Sequence, residues 1–396
     1  MDNTKYWLWL VMVFGSESRT MWKVIRACEN VSDVYGRLSS GNFNMNLSAK
    51  CMKNIERCSL AQAGSLIEYC GKLGINVICY DSPEYPKRLR HIIDPPAVLY
   101  YKGNIACVSG DRTIACVGTR KPSQYTFHVT SEICRELAEY GFTVISGFAV
   151  GVDITSHLAA VSVNRPTACV LGSGIDVNYP VENFKFRDSV IKSGGVFISE
   201  YPPGTPAYPS NFPRRNRILS ALGRATVVFE ASERSGSINT ATISVEQGKE
   251  LFCIPPSDIT DRRYSGNIRL LRSLALPLYS CDEILDFFNA ERKQTVVFSE
   301  AEKPNFKPVQ KTKKITGTVS EESKPQEKIT EDDDKKYDSL SRVQREIVEL
   351  LTDCSLHIDV IAHKLDMSVM ELMPELTEME LNDMIKALPG KMFKIC

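Results

Sequence analysis

The chain has 396 residues, 43% of them hydrophobic and 24% charged, and its basic and acidic side chains balance to a net charge of zero. That length accommodates two or three domains, and the balance excludes a protein that is basic throughout, so any nucleic-acid surface must be local. Thirteen cysteines are scattered with no C-x-x-C pair and no histidine cluster, which points to reduced thiols rather than a disulfide scaffold or a metal site. The apolar run at 6–14 falls far short of the ~20 residues of a membrane span. No membrane association is expected, and the protein is placed in the cytoplasm.

Residues 1–80 read as short helices. Trp7, Leu8, Leu10, Val11 and Phe14 form one apolar face, and segments at 21–28, 31–38, 48–58 and 61–73 repeat near 3.6 residues. Ser18, Ser32 and Ser48 suit N-caps, and Gly15, Gly71 and Gly74 suit stops. This small all-α module has little basic surface, so packing or dimerisation is its expected role. A proline-rich connector with a short strand at 98–102 occupies 81–112.

From Thr113 apolar strands recur at 114–117, 143–146, 168–171, 196–199, 225–229 and 251–254. Helical patterns lie between them at 125–140, 154–163, 182–193, 215–222, 238–247 and 267–274. Such alternation implies right-handed crossovers and a parallel sheet covered on both faces, an α/β doubly wound, Rossmann-like core. A segment at 277–279 and a last helix at 282–288 close the domain, which with its connector spans 81–292. The polar stretch 293–336 is expected to be a disordered linker.

Residues 337–396 show helical patterns at 341–351, 357–365 and 368–388. A turn at Pro389-Gly390-Lys391 then leads into a strand at 392–395, which suggests a winged helix-turn-helix. The third helix carries Glu371, Glu375, Glu378, Glu380 and Asp383 against Lys386. Those acids repel a phosphate backbone, so contact with protein is the expectation here.

Four turns fall where core strands end, the place where open parallel sheets bind ligands. The first is Gly118-Thr119-Arg120-Lys121, with Ser123 able to cap the next helix. The second is Ser146-Gly147, leading to Gly151 and Asp153, and the third is Gly172-Ser173-Gly174, with Lys185 following. The fourth is Ser235-Gly236-Ser237. Alongside them Arg214-Arg215-Asn216-Arg217 offers forked donors to phosphate. Together they predict a phosphate-binding rim.

No turn fits a Walker A pattern or a dinucleotide fingerprint, so neither ATP nor NAD is expected, and no cofactor is assigned. Asp153 and His157 stand at i and i+4 on one helix, where a cap and a packed imidazole are the expectation. Glu200 and Glu230 end strands and could pair as general acid and base, with Glu200 alternatively holding a loop or an arginine of the cluster. No nucleophile elbow or metal-ligand spacing occurs.

These motifs resemble the DNA-processing protein A family (DprA, also called Smf). The stretches that carry the resemblance are Gly118-Thr119-Arg120, Ser146-Gly147-x-Ala149-x-Gly151-Val152-Asp153, and Val170-Leu171-Gly172-Ser173-Gly174-x-Asp176 with Tyr179-Pro180-x-Glu182-Asn183. They continue with Phe212-Pro213-x-Arg215-Asn216-Arg217-Ile218, Glu230-Ala231 with Ser235-Gly236-Ser237, and Ser265-Gly266-Asn267, so that they cover about 85–285. The resemblance implies an extended Rossmann core between an N-terminal SAM-like helical domain and a C-terminal winged helix. It implies a non-enzymatic protein of natural transformation and competence that binds single-stranded DNA, dimerises, and loads the RecA recombinase. The Gly118-Thr119-Arg120 turn would hold the strand, joined by Lys185 and Arg215-Asn216-Arg217. Val150 stands where the family has arginine, and Pro255-Pro256 where it has Pro-Gly. The competing reading is a nucleotide phosphoribohydrolase on a related core, with Glu230 or Glu200 as its acid.

Overall fold

The apolar runs after Thr113 assemble into one sheet because each must be covered on both faces. In a computed structural model the chain forms two units, Met1–Lys303 and Pro304–Cys396. The structure describes residues 3–296 and 341–395, apart from 17, 29, 44–45, 352–355, 366, 368, 383 and 389–391. Most of the linker expected at 293–336, together with Asp383 and the turn at 389–391, lies outside the described residues.

The first unit opens with five helices: α1 (Thr4–Phe14), α2 (Arg19–Arg26), α3 (Val31–Ser39), α4 (Ala49–Arg57) and α5 (Leu60–Lys72). Ser18 and Ser48 cap α2 and α4 as expected, but Asn30, not Ser32, caps α3 by accepting from the Asp33 amide. Ser32 instead donates its hydroxyl to Asn30 Oδ1. Trp7, Leu10 and Val13 of α1 share one core with Val98, Tyr100, Leu171 and Phe197, so the helical module is sealed onto the sheet.

The sheet is built from β1 (Asn76–Cys79), β2 (Val98–Gly103), β3 (Thr113–Val117), β4 (Thr143–Ser146), β5 (Thr167–Leu171), β6 (Val196–Ser199), β7 (Ala225–Val228), β8 (Glu250–Cys253) and β9 (Leu276–Pro277). Their order is β1-β2-β6-β5-β4-β3-β7-β8-β9, parallel from β6 to β9, with β2 antiparallel to both β6 and β1. The crossovers are α6 (Gln124–Glu139), α7 (Val152–Ser162), α8 (Arg187–Lys192), α9 (Asn211–Leu222), α10 (Gly236–Glu246) and α11 (Ser265–Ser273), and α12 (Asp282–Val296) follows β9. Alternation along β3 divides the cores: Ile114 and Cys116 face α6 and α7, while Ala115 and Val117 face α9 and α10. Helix α9 starts at Asn211, four residues before the expected start, because Pro213 is tolerated in a first turn.

The second unit contains α13 (Arg342–Leu351), β10 (Leu356–His357), α14 (Ile358–Lys364), α15 (Val369–Leu381), β11 (Ile385–Leu388) and β12 (Met392–Ile395). The third helix ends at Leu381. Ile385–Leu388, expected to be helical, pairs with Met392–Ile395 as the hairpin of a three-stranded wing. Glu375 and Glu378 of α15 accept from Ser341 and Gln344, so part of its acidic face is tied to its own unit.

Candidate functional site

The strand order reverses between β3 and β7, which are parallel neighbours, and the crevice beyond their carboxyl ends is where such sheets take ligands. A cavity of about 320 Å³ opens there. The turn Gly118-Thr119-Arg120 lines it on one side and Ser235-Gly236-Ser237, entering α10, lines it on the other. The two are fastened together, since Ser237 Oγ donates to the Gly118 carbonyl at 2.8 Å. Ser235 caps α10 by accepting from the Ser237 amide, and Gly236 is exposed at the opening. An α-helix N-terminus carries unpaired N–H groups and partial positive charge, the arrangement that favours an anion.

Glu230 holds the first turn at both ends from behind. Its carbonyl accepts from the Thr119 amide at 2.8 Å, and its carboxylate Oε2 accepts from the Ser123 amide at 3.0 Å. Ser123 caps α6, and its hydroxyl lies 2.7 Å from the Tyr264 hydroxyl, which also meets Thr126. The Ser123 cap was legible in the sequence, but the part of Tyr264 in this buried hydroxyl network was not, because it lies far along the chain. Arg120 is exposed, with its guanidinium 5.8 Å from the centre of the Phe212 ring that lines the cavity. Lys121 is exposed at the rim but is not among the residues that line the cavity.

The second turn is already filled. Asp153 Oδ2 accepts from the Gly147 and Ala149 amides at 3.1 and 3.4 Å, so a carboxylate takes the place an external anion would occupy. Burial pushes the Asp153 carboxyl up, opposed by the Arg215 charge and these hydrogen bonds. Ser146 is also engaged, donating to the Cys116 carbonyl. Gly151, at φ 84°, packs so closely on the backbone of Thr119 and Arg120 that a side chain has no room, so this turn braces the first. His157 is fully buried with Nδ1 2.7 Å from Thr167 Oγ1. Burial, aided by the nearby Arg215 charge, lowers its pKa to about 3, so it is a neutral packed imidazole.

The third turn is covered. Gly172, Ser173 and Gly174 are buried beneath the loop that enters α9, with Asn211 donating to the Gly172 carbonyl and the Gly174 amide donating to Thr205. Lys185 lies in a separate cavity with Asp176, Phe184 and Arg187, so the described structure does not bring it to the switch point.

The cluster at 214–217 is split by its helix, because a rotation of about 100° per residue points its members different ways. Asn216 lines the switch-point cavity and Arg214 is exposed on its other flank. Arg215 is buried over Gly147 and donates to the Val170 carbonyl, while one side of it lines the cavity. Arg217 is directed away, its Nη2 2.7 Å from Glu200 Oε1 and its Nε 3.1 Å from Asp94 Oδ2. Burial alone lowers the Arg217 pKa, but the two carboxylates outweigh it and the net shift is upward. Glu200 therefore serves an arginine of the cluster, as one sequence reading expected. Among the described residues no group of three or more His, Cys, Asp or Glu could hold a metal ion, and no helix is long and apolar enough to cross a membrane.

Fold and crevice define the class: a doubly wound α/β protein with a donor-lined cavity at its switch point and a winged helix in a separate unit. The family model for DNA recombination-mediator protein A matches residues 76–289, and the DprA winged helix domain matches 331–391. The chain is 38% identical over 213 residues to the DNA processing protein DprA of Bacillus subtilis, a match covering 54% of this chain and 71% of that protein. It is 36% identical over 211 residues to Protein Smf of Escherichia coli, covering 53% of this chain and 56% of that relative. The X-ray structure of DprA from Streptococcus pneumoniae superposes with a TM-score of 0.63 at 28% identity, over 72% of this chain and 98% of that one. This chain belongs to the DNA recombination-mediator protein A (DprA/Smf) family.

Proposed function

We propose that this chain binds single-stranded DNA in the switch-point cavity, without catalysing a reaction on it, and passes the strand to the RecA recombinase during natural transformation. The observation that carries the binding step is the facing pair of the Gly118-Thr119-Arg120 turn and the α10 N-terminus, locked by the Ser237–Gly118 hydrogen bond. Backbone amides, hydroxyls and the Arg120 guanidinium converge there, a donor set suited to a phosphate. The Phe212 ring beside Arg120 supplies a face for a base, worth about 1–3 kcal/mol per stacked base. A binding role rather than catalysis is supported by the acids: Asp153 is tied to backbone amides, Glu230 to the Ser123 amide, and Glu200 to Arg217. Transfer to RecA and the cytoplasmic setting rest on family membership.

The test is a gel shift with oligo-dT. Arg120→Ala is expected to weaken binding by about 1–3 kcal/mol and to flatten the salt dependence by about 0.7. Unchanged affinity would overturn the site. On the same reading RecA filaments assemble faster on strands carrying the wild-type protein, and equal rates would remove the transfer step. The acidic α15 supports a protein partner for the winged helix, so deleting 337–396 should leave oligo-dT affinity in place.

We further propose a homodimer through the β9 edge of the sheet. Among the described residues that edge strand pairs with β8 alone, and Leu274, Leu276 and Tyr279 are exposed beside it.

A further inference from the structure

The first turn of α9 separates two cavities. Beyond the switch point, on the other flank, lies one of about 410 Å³ that the binding site described above does not include. Cations from three parts of the chain line it: Arg19 at the start of α2, Arg214 and Arg217 on α9, and Lys249 before β8. Arg88 of the connector also lines it, but its guanidinium is taken up by the Val108, Gly110 and Leu222 carbonyls and by Asp111. Asp94 and Glu246 are the acids among its lining residues, and Asp94 is already paired with Arg217. Ile92, Ile93 and Ile243 supply an apolar wall.

Two observations mark this cavity as a ligand site rather than a basic patch. Arg217 is only 8% exposed, yet its Nη1 has no hydrogen-bond partner among the described residues, which leaves a buried charged donor unsatisfied. The cavity also adjoins the first one across α9, since Pro213 lines both. The next residue, Arg214, is exposed and lines just the second.

We propose that the second cavity takes a further nucleotide unit of the bound strand, its phosphate held by Arg19, Arg214 and Arg217 and its base or sugar set against the isoleucines. The strand crosses Pro213 from one cavity to the other, and the N-terminal helical module becomes part of the DNA path through Arg19. This proposal rests on the single-strand reading of the switch-point cavity. The apolar wall and the shared Pro213 favour a nucleotide over an acidic peptide, which has carboxylates but no base to cover isoleucine.

The experiment uses the full chain and fluorescence anisotropy with oligo-dT of about 5 and about 20 nucleotides, near the lower end and above the upper end of usual single-strand sites. Arg19→Glu is a safe probe, because Arg19 is exposed at the first position of α2, where a carboxylate suits the helix dipole. Arg19→Glu is expected to weaken the long strand roughly tenfold and to flatten its salt dependence by about 0.7, while the short strand and the melting temperature stay unchanged. Arg214→Ala shifts the long strand in the same direction, and Arg19→Lys restores it. If neither Arg19→Glu nor Arg214→Ala moves the long strand while Arg120→Ala weakens both lengths, the second site is overturned and the first stands. If Arg120→Ala moves neither length, the underlying reading fails instead. Binding of dTMP or of oligo-glutamate that depends on Arg19, with long-strand affinity untouched, would assign the cavity to a free nucleotide or an acidic peptide and overturn the strand path.

Discussion

The guanidinium of Arg215 lies against the α-carbon of Gly147, so close that a methyl group added there would collide with it. Arg215 also donates to the Val170 carbonyl and lies beside the buried Asp153, so it has little freedom to retreat. Gly147→Ala is therefore expected to cost about 1–3 kcal/mol through overpacking. Urea unfolding of the first unit reads this directly. An unchanged midpoint would mean that Arg215 moves aside without penalty.

Glu200 and Asp94 hold the same arginine in different surroundings. Glu200 is buried against Arg217, while the Asp94 side chain is 39% exposed. Glu200→Gln is expected to cost about 1.5–3 kcal/mol, because it removes the buried one of the two carboxylates that compensate Arg217. Asp94→Asn should cost less than about 1 kcal/mol. Equal losses in the two variants would contradict the burial difference.

The buried His157 ties stability to pH. Its folded pKa of about 3 lies below the ordinary value near 6.5, so the fold keeps it neutral while the unfolded chain takes up a proton. Its contribution is fully present above ~6.5 and is lost progressively as the pH falls toward the folded value. Asp153 has the opposite sign: its raised pKa favours proton uptake by the fold and offsets part of the loss at the acid end. The wild-type melting temperature should drop between about pH 7 and about pH 5, and His157→Gln should lack that part of the slope. Parallel pH curves for the two proteins would discard the assignment.

At the β9 edge, Leu276→Asp places a charge in the proposed contact between copies, where Leu276 is half exposed and Tyr279 is 74% exposed. Light scattering is expected to show a dimer for the wild type and a monomer for the variant. A wild-type monomer, or a variant that stays dimeric, would move the interface elsewhere.

The parallel strands were legible because burial on both faces makes each a continuous apolar run, as in Thr113–Val117 and Ala225–Val228. β1 was not, because Asn76–Cys79 is four residues long and only half buried, so it merged with the helices before it. The start of α9 was placed at 215 instead of Asn211, because a helical pattern is hard to read through Pro213 although a helix accepts proline in its first turn. The four glycine turns were visible, but what fills each one was not. Asp153 belongs to the helix after the second turn, and the cover over Gly172 comes from residues far downstream, at Thr205 and Asn211. The division of Arg214, Arg215, Asn216 and Arg217 depends on the rotation of α9 against its neighbours, which a linear motif does not encode.

The Asp153 carboxylate in the second turn is a resident counter-anion. It satisfies the Gly147 and Ala149 amides whether or not DNA is present, and Gly151 in the same turn supports Thr119 and Arg120. The receiving surface is thus shaped before any strand arrives, so capture requires little ordering of the protein. Association should then run at a rate set by encounter and charge, and discrimination among strands should appear mainly in how quickly they leave.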